Sequence, residues 1–454
     1  MLPIKVTIII PPEPILDEPY SNQPFGIVRV YSLMKEIVEE VNLLDLRGEK
    51  DIKNIKLERA DVFMFTAVSM EIGGVNQLAK IIKENFNSLI ILGGPHINSL
   101  HKSTVWLESD IIKNHPDIDI FAIGQYMDKE SLKEMFYVYD YVKDSPLFYK
   151  SKCKSFNVED LDYSCLEKYA SSNASIIRKE NLSLIAQNTI TGLGCAFNCS
   201  FCANPLRTIQ RGSPKLVINH LQLMVDKYGI EAFKLSDDDI LQNRKWIEEF
   251  LIELKKSNLK TNYLISTRPD FINKSWKMGV LEEFRDLGLI KVGIGVESAD
   301  NRVLLNVNKL IDINEIKLSI LCLHSIRLDA LLYTIFGLMP FDKLAINNNI
   351  EFIDWCKNMN VESVNMTQLV PLPGCDIYDR YSEGCGYKNN VRYPYNDISW
   401  EKFCFVGNHF NKHIHCLPDN VTEEEYIEYR LKTTDKLKAC GFMRTEMQKD
   451  ENLK

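Results

Sequence analysis

Three cysteines crowd into the stretch GLGCAFNCSFCANP, residues 192 to 205: Cys195, Cys199 and Cys202, in a CxxxCxxC spacing within a glycine-flanked loop. A loop this short can wrap three thiolates around an inorganic cluster, as iron–sulfur ligation requires, which leaves a fourth iron without a protein ligand. Zinc is the rival for close cysteines. A structural zinc ion wants four ligands in a closed tetrahedron, usually built from CxxC pairs, and no partner pair occurs downstream. The spacing reads as an iron–sulfur site with one open corner.

The other nine of the twelve cysteines carry less. With no export signal in the chain they are expected to stay as thiols. Cys322 and Cys356 lie in apolar helical patterns and read as small core residues, whereas Cys153 and Cys165 stand in a connector without pattern. Cys375, Cys385, Cys404, Cys416 and Cys440 are too widely and irregularly spaced for a second cluster. His409, His413 and His415, in HFNKHIHC, read as a polar loop or core histidines rather than metal ligands.

A chain of 454 residues, 45% of them hydrophobic, can bury two or three cores. The net charge is −8, with Lys and Arg scattered among Asp and Glu, which argues against a nucleic-acid footprint and for a small, neutral or peptide substrate. No apolar run reaches the roughly 18 residues of a membrane span, and the short N-terminal run has no cleavage site behind it. A cytoplasmic location is expected.

The elements that must position these residues are α/β. Over residues 1–140 the runs KVTIII, VNLLDL, DVFMFT, LIILGG and IDIFAIG read as buried parallel strands with helices such as 26–40 and 71–85 between them. That predicts a Rossmann-like doubly wound domain whose ligand sits beyond the strand C-termini. There the sequence places the loop at 11–25, Thr66 and Ser69 in TAVSM, Gly93 and Gly94 in GGPH, and GQYM. The two glycines either admit a large flat ligand or make a tight turn. A connector spans 141–182. From 183 to 375 six further strand–helix units imply a partial or complete (β/α) barrel with its chemistry at the strand C-terminal ends. Residues 376–454 read as a small mixed C-terminal region that caps the substrate, with an amphipathic helix at 423–439.

CAFNCSFC, with Phe201 just before the third cysteine, resembles the signature of the radical S-adenosylmethionine (SAM) superfamily. The resemblance implies a 4Fe–4S cluster on Cys195, Cys199 and Cys202, whose open iron binds the amino and carboxylate groups of SAM. It also implies reductive release of a 5′-deoxyadenosyl radical. Asp237 and Asp238 of LSDDD match residues that meet the methionine amino group, and Arg268 of STRPD is placed for its carboxylate by a two-pronged hydrogen bond. GIGVESAD resembles the superfamily's fourth strand, with Glu297 and Ser298 near ribose and carboxylate, and FGLMP and LVPLPG resemble the ends of strands five and six. For the two aspartates a helix cap with solvated first-turn acids is the competing reading, and for Arg268 an exposed loop arginine.

PFGIVRVYSLMKE, LLDL, TAVSM, LIILGGPH and GQYM, ahead of such a core, look like the cobalamin-binding branch of the superfamily. Thr66, Ser69, Gly93 and Gly94 would then face cobalamin. The loop after the first strand has no histidine, so the DxHxxG lower-ligand motif is missing and cobalt is expected without a histidine below it. The expected activity is methylation of an unactivated carbon of a peptide or small molecule, with a flavodoxin- or ferredoxin-type electron donor. The alternatives are a cobalamin-independent peptide epimerase, cyclase or rearrangement enzyme, with Cys375 as hydrogen-atom donor, and a non-enzymatic redox or cobalamin sensor.

Overall fold

The computed structural model describes residues 1–12, 25–124, 127–141, 146–153, 175–179, 182–204, 208–380, 387 and 416–442. His409, His413, His415, Cys165, Cys385, Cys404 and most of the loop at 11–25 lie outside the described residues.

The first unit runs β1 (Leu2–Ile10), α1 (Phe25–Met34), β2 (Val38–Asp45), β3 (Val62–Thr66), α2 (Ile72–Phe86), β4 (Leu89–Gly93), α3 (Pro95–Lys102), α4 (Glu108–Asn114), β5 (Ile120–Ile123), α5 (Lys129–Tyr141) and β6 (Leu147–Lys150). The strands form one parallel sheet in the order β2-β1-β3-β4-β5-β6. Its strands are near-continuous Ile, Val, Leu and Phe because helices cover both faces, so two cores result: one around Phe63, Val75, Ile82 and Phe121, the other around Ile8, Val38, Ile91 and Met135. The strand order reverses between β1 and β3, so the crevice of this doubly wound sheet lies beyond Ile10 and Thr66. α1 stops at Met34, well short of the expected residue 40, because Val38 pairs with Leu2 and draws the chain into β2.

The second unit begins with β7 (Ser175–Lys179), antiparallel to β8 (Leu182–Thr189), then the small ladder of β9 (Gly192–Leu193) and β10 (Gln210–Arg211). There follow α6 (Pro214–Tyr228), β11 (Ala232–Leu235), α7 (Arg244–Ser257), β12 (Asn262–Thr267), α8 (Pro269–Lys277), α9 (Val280–Asp286), β13 (Leu289–Glu297), α10 (Asn301–Asn306), α11 (Ile313–Ser325), β14 (Asp329–Phe336), α12 (Lys343–Asn358), β15 (Ser363–Gln368), α13 (Asp376–Asp379) and α14 (Glu423–Ala439). The sheet order β15-β14-β13-β12-β11-β8-β7 places six parallel strands side by side, a half-barrel. The two sheets thus draw on both ends of the stretch read as a connector, through β6 and β7.

Along each barrel strand alternate residues face the helices or the concave lumen. Phe233, Leu235, Tyr263, Ile265, Val292, Ile294 and Leu332 pack outward against the helices, and Cys322 and Cys356 join that core. Facing the other way, Leu184, Ala186, Ala232, Leu264 and Ile290 form an apolar floor at the N-terminal end of the strands. Helix starts are fixed by side-chain caps: Asp312 accepts from the Asn314 and Glu315 amides, and Thr422 from the Glu425 amide. Among the described residues no helix is long and apolar enough to cross a membrane.

Candidate active site

The loop carrying Cys195, Cys199 and Cys202 leaves the C-terminal end of β8 and is fastened to five neighbouring elements. Asp238, just past β11, accepts from the Gly194 amide at 2.7 Å, and Gln242 accepts from the Ala196 amide at 2.9 Å. The Gln242 Nε2 also lies 3.7 Å from Cys195 Sγ. Past α10, the Val307 carbonyl accepts from the Ser200 amide, and Asn308 donates to the Asn198 carbonyl at 2.9 Å. The Ile377 amide of α13 donates to the Ser200 carbonyl, and the Arg268 guanidinium lies 3.6 Å from the centre of the Phe197 ring. Gly192 and Gly194 admit the return strand: a Cβ on either would stand within about 2.2 Å of the Gln210 or Thr208 carbonyl oxygen.

The three cysteines stand as thiols outside any disulfide and are half-buried. Burial pushes the Cys199 thiol above its usual range, opposed by the nearby Lys309 and Arg268 cations. Among the described residues no three His, Cys, Asp or Glu side chains converge on a position for a single metal ion. Phe201 packs against the buried cluster that holds Cys375, Ile377 and Tyr378, as do Val105 and Trp106 of the first unit.

The other expected site residues gather at the same strand ends, with partners of their own. Asp237 is fully buried, accepts from Thr191 Oγ1 at 2.9 Å and pairs with Arg211; burial raises its pKa, with Arg211 and the Thr191 hydrogen bonds opposing. Asp238 is exposed, with one oxygen on the cluster loop. Arg268 donates through Nε to Asp270 at 3.0 Å and through Nη2 to the Lys309 carbonyl at 2.5 Å, while its buried Nη1 has no acceptor among the described residues. Glu297 ends β13 at φ +62°, a strained conformation for a glutamate, and accepts from Lys309 Nζ at 2.7 Å in a buried ion pair. The GIG run of β13 now has a reason. A Cβ on Gly295 would stand 2.7 Å from Glu297 Oε1 and 2.9 Å from Lys309 Nζ, and one on Gly293 would meet the Tyr333 ring at 2.9 Å. Ser298 Oγ accepts from the Asp300 amide, with Asn349 Nδ2 3.4 Å away.

In the first unit Thr66, Ala67 and Gly94 close one turn. Gly94 has φ +97°, and a Cβ there would lie 2.3 Å from Thr66 Oγ1, so the turn itself accounts for this glycine; a Cβ on Gly93 would lie 3.3 Å from the Ala122 carbonyl oxygen. Ser69 Oγ lies 3.0 Å from His96 Nδ1, and the His96 ring is buried edge-on to His115, so burial lowers its pKa well below the usual histidine range. The segment from α3 onward meets the barrel. Lys102 donates to the Asn204 carbonyl at 3.2 Å, Ser103 Oγ to Asp379 at 2.5 Å, and Trp106 Nε1 to the Tyr378 hydroxyl at 2.8 Å. Cys375 lies in this seam at 1% exposure, its pKa pushed up to about 12 by burial. Sequence reasoning did not single out Lys309, Gln242, Arg211 or Phe197, because their roles arise from contacts between strands far apart in the chain.

Residues 189–356 match the radical SAM superfamily. The chain carries a radical SAM domain. Its radical SAM domain is the half-barrel with the cysteine loop, and the groups native to such a domain are a 4Fe–4S cluster and SAM. The residues fit both: three thiols on one loop, none in a disulfide, suit three cluster corners, and the open Nη1 of Arg268 is a cationic donor suited to a carboxylate. An uncharacterized methyltransferase of Pyrococcus horikoshii is 23% identical over 376 residues, which cover 79% of this chain and 78% of that relative. The anaerobic magnesium-protoporphyrin IX monomethyl ester cyclase of Rubrivivax gelatinosus is 29% identical over 42% of this chain and 34% of its own. Among solved structures, the radical SAM methyltransferase TsrM from Kitasatospora setae, with cobalamin and a 4Fe–4S cluster bound, superposes with a TM-score of 0.66 at 11% identity, covering 95% of this chain and 91% of TsrM. The cobalamin-dependent radical SAM enzyme OxsB gives 0.63 at 16% identity over 87% of this chain and 63% of its own. The shared fold spans both the doubly wound unit and the half-barrel.

Proposed function

We propose that this radical SAM enzyme is a cobalamin-dependent methyltransferase acting on an unactivated carbon of a peptide or small molecule, and that a flavodoxin- or ferredoxin-type protein supplies its electrons. The observation that carries this reading is the seam: the segment following the GGPH turn of the doubly wound unit bonds directly to Asn204, two residues past the last cluster cysteine, and to α13. That contact, between the segment after β4 of one unit and the end of the cysteine loop of the other, supports a reaction shared by the two units. The named chemistry of the relatives, cobalamin in TsrM and OxsB and methyl transfer in the Pyrococcus horikoshii protein, agrees with it.

Bound, the cluster supplies the electron that splits SAM into methionine and a 5′-deoxyadenosyl radical, and cobalamin carries the methyl group. The chain's own residues hold and orient. Cys195, Cys199 and Cys202 hold the cluster. Arg268 takes the methionine carboxylate through Nη1, while its other nitrogens stay tied to Asp270 and Lys309. Asp238 is exposed and would take the ammonium through the oxygen not on the Gly194 amide, whereas Asp237 is fully buried with Oδ1 on Arg211. Glu297, oriented by Lys309, and Ser298 border the ribose. Thr66 and Ser69 would supply neutral hydroxyls beside the crevice, suited to an amide-bearing corrinoid.

The test is mass spectrometry of products formed by the reconstituted enzyme from methyl-labelled SAM. The expected result is a labelled product with S-adenosylhomocysteine and 5′-deoxyadenosine in about equal amounts. The kinship with a cyclase favours, as a second reading, a ring-forming reaction without methyl transfer. That reading gives 5′-deoxyadenosine with no S-adenosylhomocysteine, and that pattern overturns the methyltransferase.

A further inference from the structure

The half-barrel's concave face carries two lysines in very different states. Lys291, low on β13, is neutralised by Glu362 and Asp329. Lys234, at the middle of β11, forms no ion pair and no side-chain hydrogen bond among the described residues, although it is only partly exposed. Its neighbours in the strand, Phe233 and Leu235, pack outward into the helix-facing core, so Lys234 stands on the lumen face. There it sits one layer above Ala186 and Ala232 of the apolar floor, and its partners in register are Asn188 and Leu264, neither of them acidic. A carboxylate entering the lumen would supply the counter-charge that no neighbouring side chain among the described residues does.

A second feature faces the same space. Tyr333, on β14, leans across β13 over Gly293, and its ring reaches the place where a Gly293 Cβ would also meet Ser266 Oγ of β12. Ser266 is one lumen-facing step above Leu264, the register partner of Lys234. The ring edge over β13 and the lysine on β11 are two strands apart, about 10 Å at the usual spacing of about 4.8 Å, and so face the same stretch of the lumen. The sheet has given up a side chain at position 293 to bring a half-exposed aromatic face there.

We propose that Lys234 is a specificity-determining residue that holds a carboxylate of the substrate in the lumen, with Tyr333 stacking against the planar or apolar part of the same molecule. The substrate class is a carboxylic acid bearing a flat or apolar portion. This rests on the lumen being the substrate site of the radical SAM domain, and holds whether the product is methylated or cyclised.

The test reads binding, not turnover, so its failure and that of the methyltransferase reading are separable. Saturation-transfer NMR is run on reconstituted, SAM-loaded enzyme with a panel of aromatic monocarboxylic acids, their primary amides and the matching phosphate monoesters. Members of the acid series are expected to bind and their amides not to. Lys234→Met is expected to weaken the acids about tenfold or more, the loss of one charge-assisted hydrogen bond, with Lys234→Arg restoring most of it. Iron content and melting temperature report whether each variant is folded. On the wild type, a bound acid is expected to shield Lys234 from acetylation, read by peptide mass spectrometry, which keeps the test sound if the variant misfolds. Amides binding as well as acids, no acid binding at all, phosphates preferred over carboxylates, or an unprotected Lys234 would each overturn the assignment.

Discussion

Glu297 shows how a single residue is committed here: it carries a strained backbone, its carboxylate is buried, and Lys309 is the cation that makes that burial tolerable. Removing one partner of such a pair leaves an uncompensated buried charge, so Lys309→Met is expected to cost about 3–5 kcal/mol. Combining it with Glu297→Gln should recover most of that loss, and thermal melts of the single and double variants check it. SAM binding, followed by equilibrium dialysis, should stay impaired in the double variant if Glu297 faces the ribose. At the cluster, replacing Cys195, Cys199 and Cys202 together by Ala is expected to abolish bound iron and sulfide. A triple variant with a full complement of four irons would remove these residues from the site. The cysteine spacing was readable because ligation by one loop is a local property. Arg268 and Glu297 were readable through motif likeness. Lys309 was not, since NVNKLID has the look of a solvated turn, and only the closure of β13 against the segment after α10 buries its ammonium.

Among the elements, those with many residues on one period were read best. Helix α14 lies where expected and buries Tyr426, Arg430, Thr433 and Leu437, one residue per turn on a single face. Strand β6 escaped notice because four residues carry too little alternation to separate a strand from a loop. The joint between α2 and α4 yields a pH dependence. His115 is buried with Nδ1 2.9 Å from Asn76 Oδ1, and burial lowers its pKa to about 4 from the usual 6.5. The unfolded chain therefore takes up the proton first as pH falls. This contribution to stability is complete above about pH 6.5 and is lost progressively down to about pH 4, roughly 3 kcal/mol at full extent. Urea midpoints at pH 7.5 and 5.0 should differ by less in His115→Gln than in the wild type. Equal differences would assign the acid sensitivity to other groups, His96 among them.

For the whole molecule, the seam between the two units hangs on few polar contacts among the described residues, and Asp379 accepts from both Ser103 Oγ and the Thr104 amide. Asp379→Ala is expected to weaken that seam by about 1–3 kcal/mol while leaving cluster iron in place. Faster amide exchange over residues 95–106 and a fall of S-adenosylhomocysteine relative to 5′-deoxyadenosine would mark a loosened domain contact; unchanged exchange would show that the apolar packing around Trp106 suffices. Strand order in the half-barrel has a further consequence, for biosynthesis. From β8 to β15 each parallel strand lies beside the one made just before it, so every new βα unit leaving the ribosome finds its template already in place. The cysteine loop belongs to the first of those units, yet two of its fastenings, Val307 and Ile377, emerge more than a hundred residues later. During that interval the three thiols stand on an incompletely anchored loop, open to oxidation. Iron delivery is thereby favoured after chain completion, and a nascent chain stalled before α13 should be the form that oxygen damages most.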